Sequence, residues 1–151
     1  MKITKIDQKG IDLITSFEGL RLLPYLCSAK VPTIGYGTTR YPNGSKVTLN
    51  DKPITKDDAI SFLLFDVKNF ELAVDAMAID AINQNQFNAL VSFAYNLGSN
   101  ALKTSTLLKK VNANPNDATI RNEFMKWVNA GGKKLEGLVR RRTAEANLYF
   151  T

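Results

Sequence analysis

The chain has 151 residues, 44% hydrophobic and 23% charged, with a formal net charge of +6. That length can bury a sizeable core, and that charge draws it toward polyanions such as nucleic acid, an anionic membrane face or a wall polymer. One cysteine and no histidine exclude a structural zinc site, a disulfide framework and a histidine-based triad, so any catalysis falls to carboxylates, Cys27, hydroxyls, Lys, Arg or Tyr.

The first periodic stretch is DQKGIDLITSFEG. Ile11, Ile14 and Phe17 fall three apart, and Glu18 follows Ile14 by four, which places all of them on the inward stripe of a short amphipathic helix. Asp7 suits its N-cap and Gly19 its end. Glu18 then faces the protein at the negative end of the helix dipole. Both surroundings disfavour a charged carboxylate, the direction a proton donor needs. A glutamate that curls into water or pairs with an arginine is the alternative. MKITKIDQKG ahead of the helix holds no apolar core of a secretory signal, and no apolar run approaches the roughly 20 residues of a membrane span. The expectation is a protein made in the cytoplasm without an export route of its own.

After Gly19 the pattern changes. VPTIGYGTTRYPNGSKVTL, with a turn signal at Pro42-Asn43-Gly44 and a run at Val47, Thr48 and Leu49, predicts a two- or three-stranded antiparallel sheet. If residues 33–37 are extended, Thr33, Gly35 and Gly37 share one face, with Ile34 and Tyr36 on the other. A hydroxyl followed by bare backbone suits the close approach of a sugar. A bulge or tight turn is the competing use of both glycines.

Thr55 with Asp58 resembles a capping box. Ala59, Ile60, Leu63, Leu64, Val67, Phe70, Val74 and Met77 then recur at threes and fours, predicting one long helix from Lys56 to about Met77, about 33 Å in length. Beyond Ala81 everything reads helical. Phe87, Leu90, Val91 and Ala94 form one apolar face, Leu107, Leu108 and Val111 a second, and Ile120, Phe124, Trp127 and Val128 a third ending at Gly131-Gly132. A last helix, roughly Glu136 to Leu148, carries Arg140, Arg141 and Arg142, which spread over most of a helical turn and cannot all face one way. The expected fold is α+β, mainly α, in a single domain. A sheet lobe of about 19–54 is joined by a connecting helix of about 56–77 to a helical lobe of about 81–151 plus the N-terminal helix. The cleft between lobes is the expected ligand site.

Glu18, eight intervening residues, Cys27, five intervening residues, then Thr33 leading into TIGYG resembles the catalytic spacing of the phage-type lysozymes, the endolysin muramidases of glycoside hydrolase family 24. QFNALVSFAYNLG, WVNAGGKKLEGLVRRR and AEANL resemble that family's helical-lobe segments, so the likeness covers nearly the whole chain.

The resemblance implies a lysozyme-like fold and hydrolysis of the β-1,4 bond between N-acetylmuramic acid and N-acetylglucosamine in bacterial peptidoglycan, leading to host cell lysis. It implies Glu18 as general acid, Cys27 in a supporting catalytic role, and Thr33 holding the attacking water or the strained sugar. Tyr95, Asn96, Arg140 and Arg141 would bind substrate, as would Gly35 and Gly37 if the strand reading holds, with one arginine, Arg140 or Arg141, approaching Glu18. Tyr95 could equally be helix core, Cys27 a small buried hydrophobe, and part of the arginine cluster a solvated face. No cofactor or metal is implied. A monomer would be held in the bacterial cytoplasm until holin pores open and would then act on the wall, with no nucleic-acid partner and no stable membrane insertion.

Two positions depart from the pattern. Many family members have aspartate where this chain has Cys27; a neutral thiol is a poor base, whereas a thiolate could attack the anomeric carbon. Thr38 stands where histidine often follows TIGYG, so a histidine-dependent ion pair near the sheet is absent. The competing functions are a non-catalytic wall-polysaccharide binder, a basic nucleic-acid-binding helical domain, and a related glycosidase such as a chitinase. The scattered basic residues show no recognition-helix motif, which counts against nucleic acid.

Overall fold

A computed structural model describes residues 2–151. Two compact units emerge: Ile14–Lys68, and a larger one made of the residues up to Leu13 together with Asn69–Thr151. The boundaries fall inside two helices, α1 (Gln8–Phe17) and α2 (Lys56–Met77).

The smaller unit contains β1 (Arg21–Leu26) and β2 (Pro32–Gly35), paired antiparallel with Tyr25 opposite Thr33 and Leu26 opposite Pro32. The sheet has two strands. This is the two-stranded form of the expected two- or three-stranded sheet; at Val47–Leu49 no strand joins it, and a bridge joins Arg40 to Lys46. The reason is local: Asp51 accepts from the Thr48 amide at 2.9 Å, the Thr48 hydroxyl at 2.6 Å and the Tyr41 hydroxyl at 2.6 Å, folding the segment into a turn that cannot extend. Those donors hold the Asp51 carboxyl below its ordinary range, the Thr48 hydroxyl foremost. Burial, reinforced by Asp51, pushes the Tyr41 phenol up to about 12. Ile14, Ile34, Tyr36, Val47, Ala59, Leu63 and Val67 are buried in this unit.

The start of α2 follows from its capping box. The Asp58 amide donates to Thr55 Oγ1 at 3.0 Å, and the Thr55 amide donates to Asp58 Oδ2 at 3.1 Å. Thr38 donates its hydroxyl to Asp66 Oδ2 at 3.2 Å, tying the end of the sheet to this helix without a cation.

The larger unit is built around α3 (Gln84–Leu97), buried continuously from Gln86 to Ala94 and packed chiefly against α7 (Glu136–Tyr149). Around them lie α4 (Ser99–Lys103), α5 (Thr106–Ala113) and α6 (Ile120–Phe124). The ring of Phe93 meets Phe124 and Trp127 edge to face at centroid distances of 6.0 and 5.4 Å.

Not everything past Ala81 is helical. Asn129–Ala130 (β3) and Lys133–Lys134 (β4) pair as a short hairpin. Gly131 and Gly132 have φ of 59° and 77°, the consecutive left-handed residues that a tight hairpin turn requires. This turn overrides the helical spacing that continued through Trp127 and Val128.

The N-terminal segment is laced into the same unit. The Ile6 amide donates to Glu71 at 2.7 Å, Gln84 Nε2 donates to the Lys5 carbonyl at 2.9 Å, and Asn88 Nδ2 donates to Asp7 Oδ1 at 2.6 Å. Gly10 is there because a side chain would collide: an added Cβ would lie 2.9 Å from Asn88 Oδ1.

Candidate active site

Glu18 is placed by the end of α1. Asp7 caps the start, its Oδ1 accepting from the amides of Lys9 and Gly10 at 3.1 and 3.4 Å. The last turn is closed by the Glu18 amide donating to the Ile14 carbonyl at 3.1 Å, and Ile14 is fully buried. Glu18 is half-buried immediately beyond the last helical residue. Gly19 ends the helix without adopting a left-handed conformation; the exposed chain simply continues through Leu20 into β1.

Cys27 opens the turn between β1 and β2. Its carbonyl accepts from the Lys30 amide at 2.8 Å and its amide donates to the Val31 carbonyl at 3.1 Å, with Lys30 left-handed at φ 60°. This is the three-residue hairpin in which a turn is followed by a left-handed residue. The Val31 amide, then the Ala29 amide, then the Thr33 hydroxyl hold the Cys27 thiol below its ordinary range. The Thr33 hydroxyl also donates to the Val31 carbonyl at 2.8 Å, and its one proton can serve only one acceptor at a time. Thr33 is only 2% exposed. Its hydroxyl, held on the Val31 carbonyl, braces the turn.

The shared face of Thr33, Gly35 and Gly37 is not realised. Gly35 is left-handed at φ 67° and Gly37 at φ 92°, so strand alternation stops at Gly35. Ile34 and Thr38 exchange both backbone hydrogen bonds at 2.9 Å around the intervening turn. The bare side of Gly35 faces α2: an added Cβ would lie 3.3 Å from the Ala59 Cβ. These glycines fold the chain back, the competing use weighed for them, and Gly35 presents its bare carbon to protein.

In the larger unit, Tyr95 is half-buried and packs edge to face on Phe70 at 5.5 Å. Asn96 Oδ1 accepts a hydrogen bond from the Arg142 guanidinium. An Asn96 so held has its amide NH2 directed away from Arg142, since a donor must meet the carbonyl side. Arg140 is exposed, whereas Arg141 and Arg142 are buried. The solvated member of the cluster is thus Arg140.

Sequence reasoning missed what surrounds Arg142. Glu145 accepts from the Ser92 hydroxyl at 2.6 Å and lies 2.9 Å from Arg142 and 3.6 Å from Arg141. Burial pushes the Glu145 carboxyl up and the Arg142 guanidinium down, each opposed by the other's charge. Arg142 also lies 5.2 Å over the Phe93 ring. The signal was in the sequence: Glu145 follows Arg141 by four and Arg142 by three, the spacings at which helix side chains meet. No group of His, Cys, Asp or Glu able to hold a metal ion occurs among the described residues.

The family model described as Phage lysozyme matches residues 15–145. The chain is 44% identical over 146 residues to the endolysin of Bacillus phage B103, a match covering 97% of this chain and 54% of that protein; the chain therefore spans about half of that relative. It is 39% identical over 148 residues to the endolysin of Acyrthosiphon pisum secondary endosymbiont phage 1, covering 95% of this chain and 97% of the other. Among solved structures, the endolysin from Escherichia coli O157:H7 phage FAHEc1 aligns over 99% of this chain and 96% of its own, with TM-score 0.87 and 39% identity.

Proposed function

This chain belongs to the phage lysozyme family, and from that premise we propose that it is an endolysin muramidase, cleaving the β-1,4 bond between N-acetylmuramic acid and N-acetylglucosamine in bacterial peptidoglycan. What supports the reading above all is the arrangement within the matched span: Glu18 directly follows α1, and Cys27 and Thr33 belong to one hairpin, Cys27 opening its turn and Thr33 on its second strand.

Glu18 is the general acid. Its proton passes to the glycosidic oxygen as the bond to the anomeric carbon breaks and positive charge spreads over the ring. Water then adds to that carbon and loses its proton to solvent, from which Glu18 takes a proton back to complete the cycle. Cys27, ringed by amide donors, orients that water in the supporting role. A direct attack by Sγ would instead retain the anomeric configuration, so the anomer first released separates the two roles. Thr33 supports Cys27 and the attacking water, and Tyr95, Asn96, Arg140 and Arg141 take the substrate-binding roles implied by family resemblance. The protein acts as a monomer on the wall after release from the cytoplasm through holin-type pores. No helix among the described residues is long and apolar enough to cross a membrane.

The test is release of reducing ends from purified peptidoglycan by the wild type and by Glu18→Gln, which keeps the shape and removes the proton donor. The expected loss is at least about 100-fold. Equal activity of both proteins overturns the role of Glu18. Wall binding by both with no turnover replaces the enzyme by a binding protein.

A further inference from the structure

The β1–β2 hairpin exposes apolar side chains in a run. Leu22 is 42% exposed, Leu23 60% and Leu26 52%, with Val31 across the turn at 41%. Singly exposed leucines are ordinary on protein surfaces; several on one small hairpin are not. The strand register explains how they come to be there. Pairing is regular at Tyr25–Thr33 and Leu26–Pro32 but shifts between Arg21 and Tyr25, so the intervening residues bulge outward. Leu22 and Leu23, adjacent and pointing apart, both end up in solvent.

The hairpin is also poorly suited to a partner that adds a strand. Pro24 has no amide to donate, the bulge breaks the repeat, and the Leu22 carbonyl already accepts from the Ile54 amide at 3.0 Å. The surface asks for a partner that buries apolar side chains without main-chain bonds in register.

Charge narrows the chemistry further. No carboxylate occurs between Glu18 and Asp51, whereas Arg21, Lys30, Arg40 and Lys46 all lie in that stretch. Arg21 and Lys30 are exposed near the two ends of the apolar run. Basic heads beside aliphatic side chains match the interface of an anionic bilayer, where phosphates lie over acyl chains.

We propose that this hairpin docks on the surface of an anionic phospholipid bilayer, with Leu22, Leu23 and Leu26 at the boundary between headgroups and acyl chains and Arg21 and Lys30 on the phosphates. The contact is peripheral and reversible, and it does not depend on turnover of the wall.

The full chain is sedimented with vesicles of phosphatidylcholine alone or mixed with phosphatidylglycerol. Binding is expected to the mixed vesicles, weakening as salt rises. Leu22→Ser/Leu23→Ser/Leu26→Ser should lower the partition coefficient at least about tenfold. Arg21→Glu/Lys30→Glu should lower it more than Lys103→Glu/Lys109→Glu, which makes the same change in net charge on α4 and α5. A separate measurement needs no loss of binding: Leu23→Trp should show quenching by brominated lipid beyond that of the wild type, whose Trp127 lies in the larger unit. Four results overturn the proposal. They are undiminished binding of the serine variant, equal losses in the two charge variants, no added quenching in Leu23→Trp, or a serine variant that loses affinity for peptidoglycan while keeping it for vesicles.

Discussion

The guanidinium of Arg142 and the carboxylate of Glu145 lie 2.9 Å apart, and neither side chain is reached by solvent. A buried pair of this kind gains little over a well-packed apolar core, but losing one partner strands the other charge. Glu145→Gln preserves an oxygen for the Ser92 hydroxyl and removes only the charge. It should destabilise the protein by about 3–5 kcal/mol in urea unfolding. Arg142→Met/Glu145→Leu should cost less than the sum of the two single substitutions. Strict additivity would show that the pair is not energetically coupled.

The Cys27 thiol should alkylate as a thiolate at lower pH than a free cysteine. The cause is the set of donors around Sγ, led by the Val31 amide. The rate of reaction with iodoacetamide, followed against pH, gives the midpoint. Thr33→Val removes the hydroxyl and should move that midpoint upward; no movement would remove Thr33 from the account.

Gly35→Ala combines two penalties. A side chain at φ 67° is strained, and its Cβ would press on the Ala59 Cβ at 3.3 Å. About 1–2 kcal/mol is expected from the backbone alone. Gly19→Ala, with a backbone outside the left-handed region and open space around it, should stay within about 0.5 kcal/mol of wild type. Comparing chemical denaturation of the two checks that local geometry, and not glycine content, governs the cost.

Asp66 introduces a pH dependence whose sign can be worked out. Burial holds its carboxyl above the ordinary range, with the Thr38 hydroxyl opposing. The folded state therefore keeps a proton that the unfolded state has released, and stability falls as pH rises through that interval. Asp66→Asn, which can still accept from Thr38, should flatten this part of the curve. Urea midpoints between about pH 4 and pH 7 read it out. A steeper fall in the variant would reverse the assignment.

Much of the framework was legible because it rests on short-range chemistry. The Thr55–Asp58 box and the spacing from Ala59 to Met77 specify α2, and Asp7 specifies the start of α1. Strand extent was less legible. Alternation alone points to extension from Thr33 to Gly37, yet Gly35 turns left-handed and the chain doubles back so that Ile34 bridges Thr38. In the sequence, Gly131-Gly132 reads as a helix stop as readily as a hairpin turn, since both use the same glycines. Around the candidate site, the spacing of Glu18, Cys27 and Thr33 could be read directly. The donors converging on Cys27 could not, because they are main-chain amides that any residue carries.

The lacing of the N-terminal segment bears on the order in which the chain can be completed as it leaves a ribosome. Asp7 waits for Asn88, 81 positions later, and Ile6 for Glu71, 65 positions later. The beginning of the chain is thus synthesised early but docks late, after a whole intervening segment that has its own core. A nascent polypeptide arrested before Asn88 holds the residues of the β1–β2 hairpin and of α2 while Asp7 still lacks its partner. The segment made before α1 is thus one of the last pieces to be fitted into the larger unit.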